Sequence, residues 1–324
     1  MTSPTKRIQL LCPAPPDSRT GNRVTALRWA GHLRDLGHQV EIVHNLKDEN
    51  VGRKACVLVA MHAAKCATAI RYYRKQHPKR PLIVALTGTD LYRDLRNQRG
   101  AQNSLEVADR ILLLQSAGLD LLAPHLQRKC HVVHQSSVPV VTKKFDRRRG
   151  FRACVVGHLR AVKDPMRCAI AARSLPSDSR IQIDHLGGAM TPFYQKVALK
   201  EQRTNPRYHW LGERTHSQTR RHIAQSHLLV LTSKMEGGAN VVSEACVAGT
   251  PILTTRIDGS IGLLGADHPG MFGVGETRSL TQLLLRCEND PRFYERLRRI
   301  SIRKSNLFVP KRERESLRKL LRGL

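Results

Sequence analysis

The feature that most constrains the fold is a repeated alternation of short apolar runs with segments of helical periodicity. In the first half of the chain the apolar runs read RIQLLC, VEIVH, CVLVAM, LIVALTG, RILLLQ and CHVVHQ. The first is followed by NRVTALRWAGHLRDLG, which ends on Gly37, where a helix C-terminal glycine belongs. Strands that are apolar throughout and are separated by helices are typical of a parallel sheet covered on both faces. The sequence therefore predicts an α/β fold.

The alternation breaks once and then starts again. The segment VPVVTKKFDRRRGF, around residues 138–150, carries a proline and a charge run and is predicted to be a linker, after which RACVVGHL resumes the strands. We therefore expect two Rossmann-like domains, residues 1–145 and 146–300, followed by a charged helical segment, residues 301–324. Their parallel sheets are expected to face a central cleft, because open α/β folds bind ligands at the carboxyl ends of their strands.

The charge balance favours anionic ligands. The chain has 55 Lys and Arg against 26 Asp and Glu, a net charge of +29, whereas aromatic residues make up only 4%. Proteins that bind single-stranded nucleic acid interleave basic residues with stacking aromatics, and this pattern is thin here. We therefore expect small anionic substrates and do not expect nucleic acid as a partner.

Two further patterns indicate the cellular compartment of the protein. No apolar run approaches the roughly 18 residues that indicate a membrane span, and the run before the first prolines is too short for a signal peptide. The eight cysteines have no paired or zinc-like spacing, and Cys56, Cys154 and Cys246, which lie in apolar stretches, are expected to be buried free thiols. These patterns predict a cytoplasmic protein and leave its oligomeric state open.

One junction in the second half predicts an anion site. In LLVLTSKMEGGANVVSEA a strand leads into Gly237 and Gly238 and then into a helix, whose first N–H groups and dipole suit a diphosphate. Carboxylates beside such a site repel phosphate, so Glu236 and Glu244 are expected to accept hydrogen bonds from hydroxyl groups on either side of it. The alternative is a surface turn in which Glu236 is solvated and Glu244 forms a salt bridge.

Three segments of the first domain follow strands and are candidates for a second substrate. The first loop, PPDSRTGNR, holds Arg19, Gly21, Asn22 and Arg23 at a helix start, although it is also a plausible connection with an asparagine cap. Another segment holds four residues, Thr87, Gly88, Thr89 and Asp90, and can line a pocket or form a turn. His62 follows CVLVAM and is either an acid–base or phosphate contact or a satisfied histidine at the rim.

The order of these motifs resembles the nucleotide-sugar glycosyltransferases with the GT-B fold, in particular the retaining enzymes of family 4. The signature E-x7-E of that family matches Glu236 through Glu244, with a trailing AGTP, and GHLRAVKD places Lys163 where the diphosphate-binding lysine belongs. His158 replaces the usual arginine and Arg160 lies two residues later, so either could assist. The resemblance implies that Glu236, Gly237, Gly238, Ala239, Asn240 and Glu244 bind a UDP-sugar. It also implies that the last helix crosses back onto the first, acceptor-side domain.

A narrower set of motifs resembles the selenosugar synthases of selenoneine biosynthesis, a branch of the same fold. The set comprises PAPPDSRTGNRVTALRWA, ALTGTDLYRD, GHLRAVKDP, HLGGA, MEGGANVVSEA and GLLG. This resemblance implies that selenophosphate is joined to the anomeric carbon of a UDP-sugar, typically UDP-N-acetylglucosamine, with release of UDP and phosphate. Lys163, His158, Arg160 and His62 are then the candidate catalytic residues. Basic side chains can neutralise the diphosphate, so we expect neither a metal nor a cofactor.

Three other functions are compatible with parts of the sequence. A family 4 transferase could use a conventional hydroxyl acceptor, such as a glycan or lipid precursor. A nucleotide-sugar epimerase of the same fold would consume the UDP-sugar without an acceptor. A basic nucleic-acid-binding protein could be built on a degenerate transferase scaffold, although the intact pair of glutamates and Lys163 argue against degeneration.

Overall fold

The computed structural model describes residues 5–44, 51–146 and 149–324. The chain forms two compact units: the first takes in the residues up to Gln135 together with Pro310–Leu324, and the second is Ser136–Val309. In the described part of the chain each unit holds one six-stranded sheet. The predicted α/β class with two parallel sheets is confirmed.

The strands of the first sheet are parallel and coincide with the six apolar runs. They are β1 Arg7–Leu11, β2 Gln39–Val43, β3 Val57–Met61, β4 Leu82–Leu86, β5 Arg110–Leu113 and β6 Cys130–Val132. Across the sheet they follow the order β2-β1-β3-β4-β5-β6, so the direction of winding reverses between β1 and β3. Every residue of β3 and β4 is buried, as the uninterrupted apolar runs predict.

Helices cover both faces of this sheet. They are α1 Gly21–Asp35, α2 Ala67–Gln76, α3 Leu95–Asn97, α4 Arg99–Glu106 and α5 Pro124–Gln127, with a π-helical turn at Asp90–Asp94 and a 3-10 turn at Ser116–Leu121. The buried face of α1, including Trp29, packs on one side of the sheet, while α2 and α4 pack on the other. Gly37 follows α1 with φ +86°, the left-handed conformation that terminates helices and that the sequence predicts there.

The second sheet is also parallel. Its strands are β7 Phe151–Val156, β8 Ile181–Leu186, β9 Tyr208–Gly212, β10 Leu228–Leu231, β11 Ile252–Thr255 and β12 Met271–Phe272. They follow the order β12-β11-β10-β7-β8-β9, and the winding reverses between β10 and β7. This is the strand order of dinucleotide-binding folds, whereas the first sheet has the order found in flavodoxin-like folds.

Seven helices are described in the second unit. They are α6 Arg167–Arg173, α7 Pro192–Thr204, α8 His216–Gln225, α9 Asn240–Val247, α10 Asp258–Leu264, α11 Thr277–Asn289 and α12 Pro291–Ser305, with 3-10 turns at Ala161–Lys163 and Asn306–Phe308. One face of the sheet packs on α6, α11 and α12, and the other packs on α9 and α10. Gly249, with φ +63°, ends α9 just before Pro251, as predicted.

The last helix, α13 Pro310–Leu321, belongs to the first unit. Its leucines Leu317, Leu320 and Leu321 join the apolar cluster formed by α1 and the sheet. The side chain of Glu313 is fully buried and accepts hydrogen bonds from Nε of Arg28 at 2.9 Å and from Nε1 of Trp29 at 2.8 Å. Buried apolar and charged contacts therefore both fix this helix on α1.

The observed division of the chain differs from the predicted boundary at residue 145, because residues just after Gln135 bond to the second unit. The N–H of Ser137 donates to Phe308 O at 2.9 Å, and the N–H of Phe145 donates to Gln225 O at 2.8 Å. Residues 147 and 148 of the predicted linker lie outside the described residues. The segment before them is extended chain that packs as part of the second unit.

The burial predicted for three cysteines is confirmed for two of them. Cys154 and Cys246 are buried, but the prediction for Cys56 is wrong, because this residue is exposed. Cys56 precedes the first residue of β3, and only its N–H joins the sheet, where it donates to Arg7 O at 2.7 Å.

None of the helices in the described ranges has both the length and the apolar character that crossing a lipid bilayer requires.

Candidate active site

The loops after β7 and β10 meet where the winding of the second sheet reverses. Parallel sheets leave a ligand-binding crevice at the carboxyl ends of the strands that flank such a reversal, and β7 and β10 are hydrogen-bonded neighbours. The loop after β7 carries His158, Arg160 and Lys163, and the loop after β10 carries residues 236–240. The residues predicted to hold a diphosphate therefore follow the two strands that flank the reversal.

Backbone and hydroxyl contacts tie these two loops together. The N–H of Lys234 donates to Val162 O at 2.8 Å. The hydroxyl of Thr232 lies 2.9 Å from the carbonyl oxygens of both Lys163 and Asp164. Asp164 has φ +43°, a left-handed conformation that is uncommon outside glycine. Lys163 is thus presented from a turn whose conformation the neighbouring loop supports.

Lys163 and Glu236 form an ion pair within this crevice. The ammonium group of Lys163 bonds to Oε1 of Glu236, and both side chains are largely shielded from solvent. The hydroxyl of Ser233 donates to the same oxygen at 2.6 Å. Both contacts use Oε1, so Oε2 of Glu236 can accept a hydrogen bond from a ligand hydroxyl. The structure therefore brings together two residues that lie 73 positions apart in the sequence.

Glu244 projects from α9 into a buried position. The imidazole Nε2 of His216, the first residue of α8, lies 2.7 Å from its Oε1. Its Oε2 is buried and has no hydrogen-bond partner among the described residues. An unpaired buried carboxylate oxygen is costly, by about 1–3 kcal/mol, and it is an acceptor available to a ligand hydroxyl. His216 is placed by a capping box in which Thr215 and Gln218 bond each other reciprocally.

The segment between these two glutamates forms the start of α9. Ala239 is extended and buried and precedes the first helical residue, Asn240, so the first N–H groups of α9 lie at the crevice. Neither Gly237 nor Gly238 has a positive φ, so the backbone conformation does not itself require glycine at these positions. Their lack of a side chain instead permits close approach to the backbone.

Close packing against the backbone of Glu236 comes from α10. A Cβ atom added to Gly259 would lie 2.1 Å from the carbonyl oxygen of Glu236. The glycine therefore lets the start of α10 lie against the residue that pairs with Lys163. Neither Gly259 nor His216 was predicted from the sequence. For Gly259 the only signal is that it is a glycine within RIDGSIGLLG.

His158 and Arg160 differ in how firmly they are held. The Nδ1 atom of His158 accepts the N–H of Gly188 at 3.2 Å, so in the neutral ring the hydrogen is on Nε2. Arg160 is exposed. A Cβ at Gly187 would lie 2.0 Å from Gly157 O, so this glycine, with φ +152°, allows the loop after β8 to support His158. Of the two predicted alternatives, His158 is the one with a fixed orientation.

His62 lies at the corresponding reversal in the first unit, just after β3. It is buried and has φ +111°, a strained conformation that clusters at functional sites. Its Nδ1 accepts the N–H of Lys65 at 3.3 Å, and its Nε2 lies 3.4 Å from Thr89 Oγ1 and 3.7 Å from Asp94 Oδ2. Burial lowers the pKa of His62 in spite of the nearby carboxylate of Asp90. Because Nδ1 accepts a hydrogen bond, the neutral ring carries its hydrogen on Nε2.

Asp90 holds the loop after β4 together. Its Oδ1 accepts the N–H of Gly88 at 2.7 Å, and its Oδ2 accepts the N–H groups of Thr87 and Ala63, each at 3.2 Å. The side chain of Asp90 is fully buried, which favours a structural role over contact with an acceptor substrate. The hydroxyl of Thr87 is buried and has no partner within the described ranges.

The loop after β1 holds the other predicted residues of the first unit. Arg19 and Gly21 are exposed, and Thr20, rather than Asn22, precedes the first residue of α1. Arg23 donates through Nε to Pro16 O at 3.2 Å. Burial raises the pKa of the Cys12 thiol, while the charges of Arg23 and Lys65 act in the opposite direction. Two cations therefore lie near the carboxyl end of β1, and one of them, Lys65, was not predicted.

Comparisons with known proteins bear on the family and on the fold. Residues 143–304 match the family model described as glycosyl transferases group 1. Glycosyltransferase 1 domain-containing protein 1 of Xenopus tropicalis is 23% identical over 306 residues, which cover 86% of this chain and 87% of the relative.

Two solved structures share the architecture over almost the whole chain. HepE of Anabaena, in complex with UDP and glucose, superposes with a TM-score of 0.77 at 15% identity and covers 98% of this chain and 100% of its own. Sucrose-phosphate synthase from Thermosynechococcus elongatus gives a TM-score of 0.79 at 12% identity, with 98% of each chain covered. At these identities the likeness establishes the fold, and the predicted GT-B class is confirmed.

Proposed function

Because this chain belongs to the glycosyl transferases group 1 family and is a glycosyltransferase, we propose that it transfers the sugar of UDP-N-acetylglucosamine to selenophosphate. The products would be a 1-seleno sugar, UDP and phosphate. The identity of both substrates rests on the sequence motifs shared with the selenosugar synthases. The geometry of the second unit supports the donor, and that of the first unit supports an anionic acceptor.

The ion pair between Lys163 and Glu236, beside the start of α9, is the observation that carries the proposal. Departure of UDP places negative charge on the β-phosphate while the sugar becomes oxocarbenium-like. An ammonium group and helix N-terminal N–H groups that face the diphosphate stabilise this charge as it develops. Lys163 would contact the diphosphate, and Glu236 would accept hydrogen bonds from the sugar through Oε2, which neither Lys163 nor Ser233 uses.

The ribose end of the donor is assigned to Glu244. Its buried Oε2 has no partner in the described part of the chain, and a ribose hydroxyl would satisfy it. His216 would keep the other carboxylate oxygen occupied, so that a single acceptor faces the ligand. His158, whose Nε2–H group is not used by the backbone, is proposed to add a donor to the diphosphate, with Arg160 as a more exposed cation.

Selenophosphate would be held by the first unit. Arg23 and Lys65 lie near the end of β1 and supply positive charge, and His62 presents an Nε2–H group after β3. The anionic selenium needs no general base: its lone pair attacks the anomeric carbon, and the bond from that carbon to the β-phosphate oxygen breaks with its electron pair. Water then attacks phosphorus, the P–Se bond breaks, and selenium keeps that electron pair and takes up a proton.

The same assignment predicts that transfer needs no metal ion, because Lys163, His158 and the N–H groups of α9 neutralise the diphosphate. Activity should therefore survive dialysis against EDTA and should not rise when Mg²⁺ or Mn²⁺ is restored. Loss of activity that either ion restores would contradict this part of the proposal.

The decisive test is UDP release and product mass under anaerobic conditions, with UDP-N-acetylglucosamine and with or without selenophosphate. We expect UDP release that depends on selenophosphate and a product with the mass of a seleno sugar. Lys163→Ala and Glu236→Ala should abolish both, whereas Lys234→Ala, an exposed lysine in the same loop, should leave them unchanged.

The outcomes of this test distinguish an error in the proposed acceptor from an error in the proposed donor site. Transfer to alcohols in place of selenophosphate would retain the donor site and overturn the acceptor. Failure to bind any UDP-sugar would overturn the assignment of Lys163, Glu236 and Glu244 while leaving the family and the fold in place.

A further inference from the structure

A basic groove lies on α12, in a part of the second unit that contributes no residue to the candidate active site. It has a volume of about 740 Å³. Its lining consists of Asp267 and seven residues of α12, which are Pro291, Arg292, Glu295, Arg296, Arg299, Ile300 and Arg303. Four arginines thus face two carboxylates.

The arginines form a stripe along one face of the helix. Residues 292, 296, 299 and 303 are spaced by four, three and four positions, and at a rise of about 1.5 Å per residue they extend over about 16 Å. Arg299 lies 3.4 Å from Glu295, but no carboxylate of the described residues lies within ion-pair distance of Arg292, Arg296 or Arg303. Like charges three and four positions apart destabilise a helix, so an anion in the groove would relieve a standing repulsion.

The segment after α10 contributes Asp267 to the lining, and further basic side chains lie around this segment. The Nη1 of Arg256 donates to Ala266 O at 3.0 Å, and Nζ of Lys304 lies 3.9 Å from the position of a Cβ on Gly265. His268 is buried, and its Nδ1 accepts the N–H of Gly270 at 3.2 Å. Its Nε2 therefore carries a hydrogen, and no acceptor for it is present in the described ranges.

Burial lowers the pKa of His268 to about 4, and the charges of Lys304 and Arg296 act in the same direction. The histidine is therefore neutral near physiological pH, and the surrounding positive potential comes from arginine and lysine. His268 is not part of the lining, but its N–H group, which is unpaired among the described residues, and the neighbouring cations make this region electropositive, which favours an anion in the groove.

The size and lining of the groove define the class of ligand. Its volume falls within the range of about 300–1,000 Å³ found for small-molecule sites. Planar guanidinium groups match phosphate oxygens in pairs, and no aromatic side chain of the described residues lines the groove to stack on a base. We propose that this groove binds a compact oligophosphate, a ligand with several phosphoryl groups in a row and no need of a nucleobase.

The site is distinct from the predicted donor site, although its helix packs against the helix that carries Glu244. In α12, Ile302 packs against the end of α9: a Cβ at Gly249 would lie 3.2 Å from its Cγ1. The arginines of the groove project from the same helix. The groove and Glu244 therefore lie on two helices that pack against each other.

The test is calorimetric titration of the full chain with inorganic tripolyphosphate at physiological ionic strength. Because several charge-assisted bonds are lost, the double variant Arg296→Gln, Arg303→Gln should raise Kd by about tenfold or more. Asp267→Asn should lower Kd, since it removes a carboxylate from the lining. The matched control Lys200→Gln, Arg203→Gln, which removes two exposed charges from α7, should leave Kd within about twofold.

A second comparison separates this groove from the donor site, where a triphosphate could also bind. Tripolyphosphate binding should persist in Lys163→Ala, and inorganic monophosphate should bind at least about tenfold more weakly, because it contacts fewer arginines. Binding that is lost in Lys163→Ala and retained in the arginine double variant would overturn the proposal.

Two other results would also overturn it. One is the absence of saturable tripolyphosphate binding. The other is a single-stranded RNA that binds far more tightly than tripolyphosphate and depends on Arg296 and Arg303, which would make α12 a nucleic-acid surface instead.

Discussion

His216 orients the carboxylate of Glu244: its Nε2 lies 2.7 Å from Oε1, and the other oxygen is buried without a partner in the described part of the chain. The two residues lie 28 positions apart: His216 begins α8, and Glu244 is the fifth residue of α9. The contact determines which oxygen is available, so His216 is a positioning residue for the proposed donor site.

Replacing this histidine should weaken donor binding selectively. We expect His216→Ala to raise the KM for the UDP-sugar about tenfold, equivalent to about 1.4 kcal/mol, with little change in kcat. His216→Gln, whose amide can still donate to the carboxylate, should recover most of the affinity. The control is His125→Ala, which breaks a comparable contact, His125 Nε2 to Glu106 Oε1 at 3.0 Å, in the first unit. An unchanged KM in His216→Ala would refute the positioning role.

Gly259→Ala should damage both stability and donor binding. The new methyl group would lie 2.1 Å from Glu236 O, so the backbone of Glu236 has to move. We expect a loss of about 2 kcal/mol in the free energy of unfolding, measured in urea, and weaker UDP-sugar binding. Gly31→Ala is the matched control, because it is also helical and has nothing within 4 Å of its new Cβ. It should be neutral or slightly stabilising, and equal effects of the two substitutions would contradict the prediction.

Glu313→Gln should destabilise the first unit. The substitution keeps the shape of the side chain but removes the charge that Arg28 contacts at 2.9 Å in a fully buried position. We expect about 3 kcal/mol lower stability by chemical denaturation, since the partly buried guanidinium group of Arg28 loses its charged partner. Glu315→Gln removes an exposed partner of Arg318 from the same helix and should have no comparable effect. If the two variants are equally stable, the buried contact does not fix α13.

Lys144 should give the second unit a pH-dependent contribution to stability. Its ammonium group donates to Ser226 O and Thr250 Oγ1, both at 2.8 Å, and burial lowers its pKa from 10.5 to about 8. Between pH 8 and 10.5 the unfolded chain binds more protons at this site than the folded chain. This contribution to stability therefore rises with pH across that window, by about 3 kcal/mol at most.

The comparison with Lys144→Met isolates this effect from other titrations. The difference in unfolding free energy between the native chain and the variant should increase in favour of the native chain from pH 8 to pH 10.5. Lys143→Met, at the exposed neighbouring position, should show a constant difference. A constant difference for Lys144→Met as well would mean that burial does not depress its pKa.

Strand positions could be predicted because fully buried parallel strands leave uninterrupted apolar runs, such as those of β3 and β4. The ends of α1 and α9 could be predicted because Gly37 and Gly249 adopt left-handed conformations. The contact between His216 and Glu244 could not be predicted, since it depends on how α8 packs against α9 and leaves no periodic signal. The predicted domain boundary missed the division at Gln135 for a related reason. Residues 136–146 have no regular structure, and only their hydrogen-bonding partners show that they belong to the second unit.

The chain leaves the first unit at Gln135 and returns to it at Pro310, and this path has a consequence during synthesis on the ribosome. The whole second unit emerges before α13 does. Until the last helix is released, the face of the first sheet that Leu317, Leu320 and Leu321 cover is open to water beside Trp29 and Leu10. Of the two units, the one that begins first along the chain is therefore completed last, and a nascent chain halted within residues 136–309 leaves this apolar surface uncovered by α13.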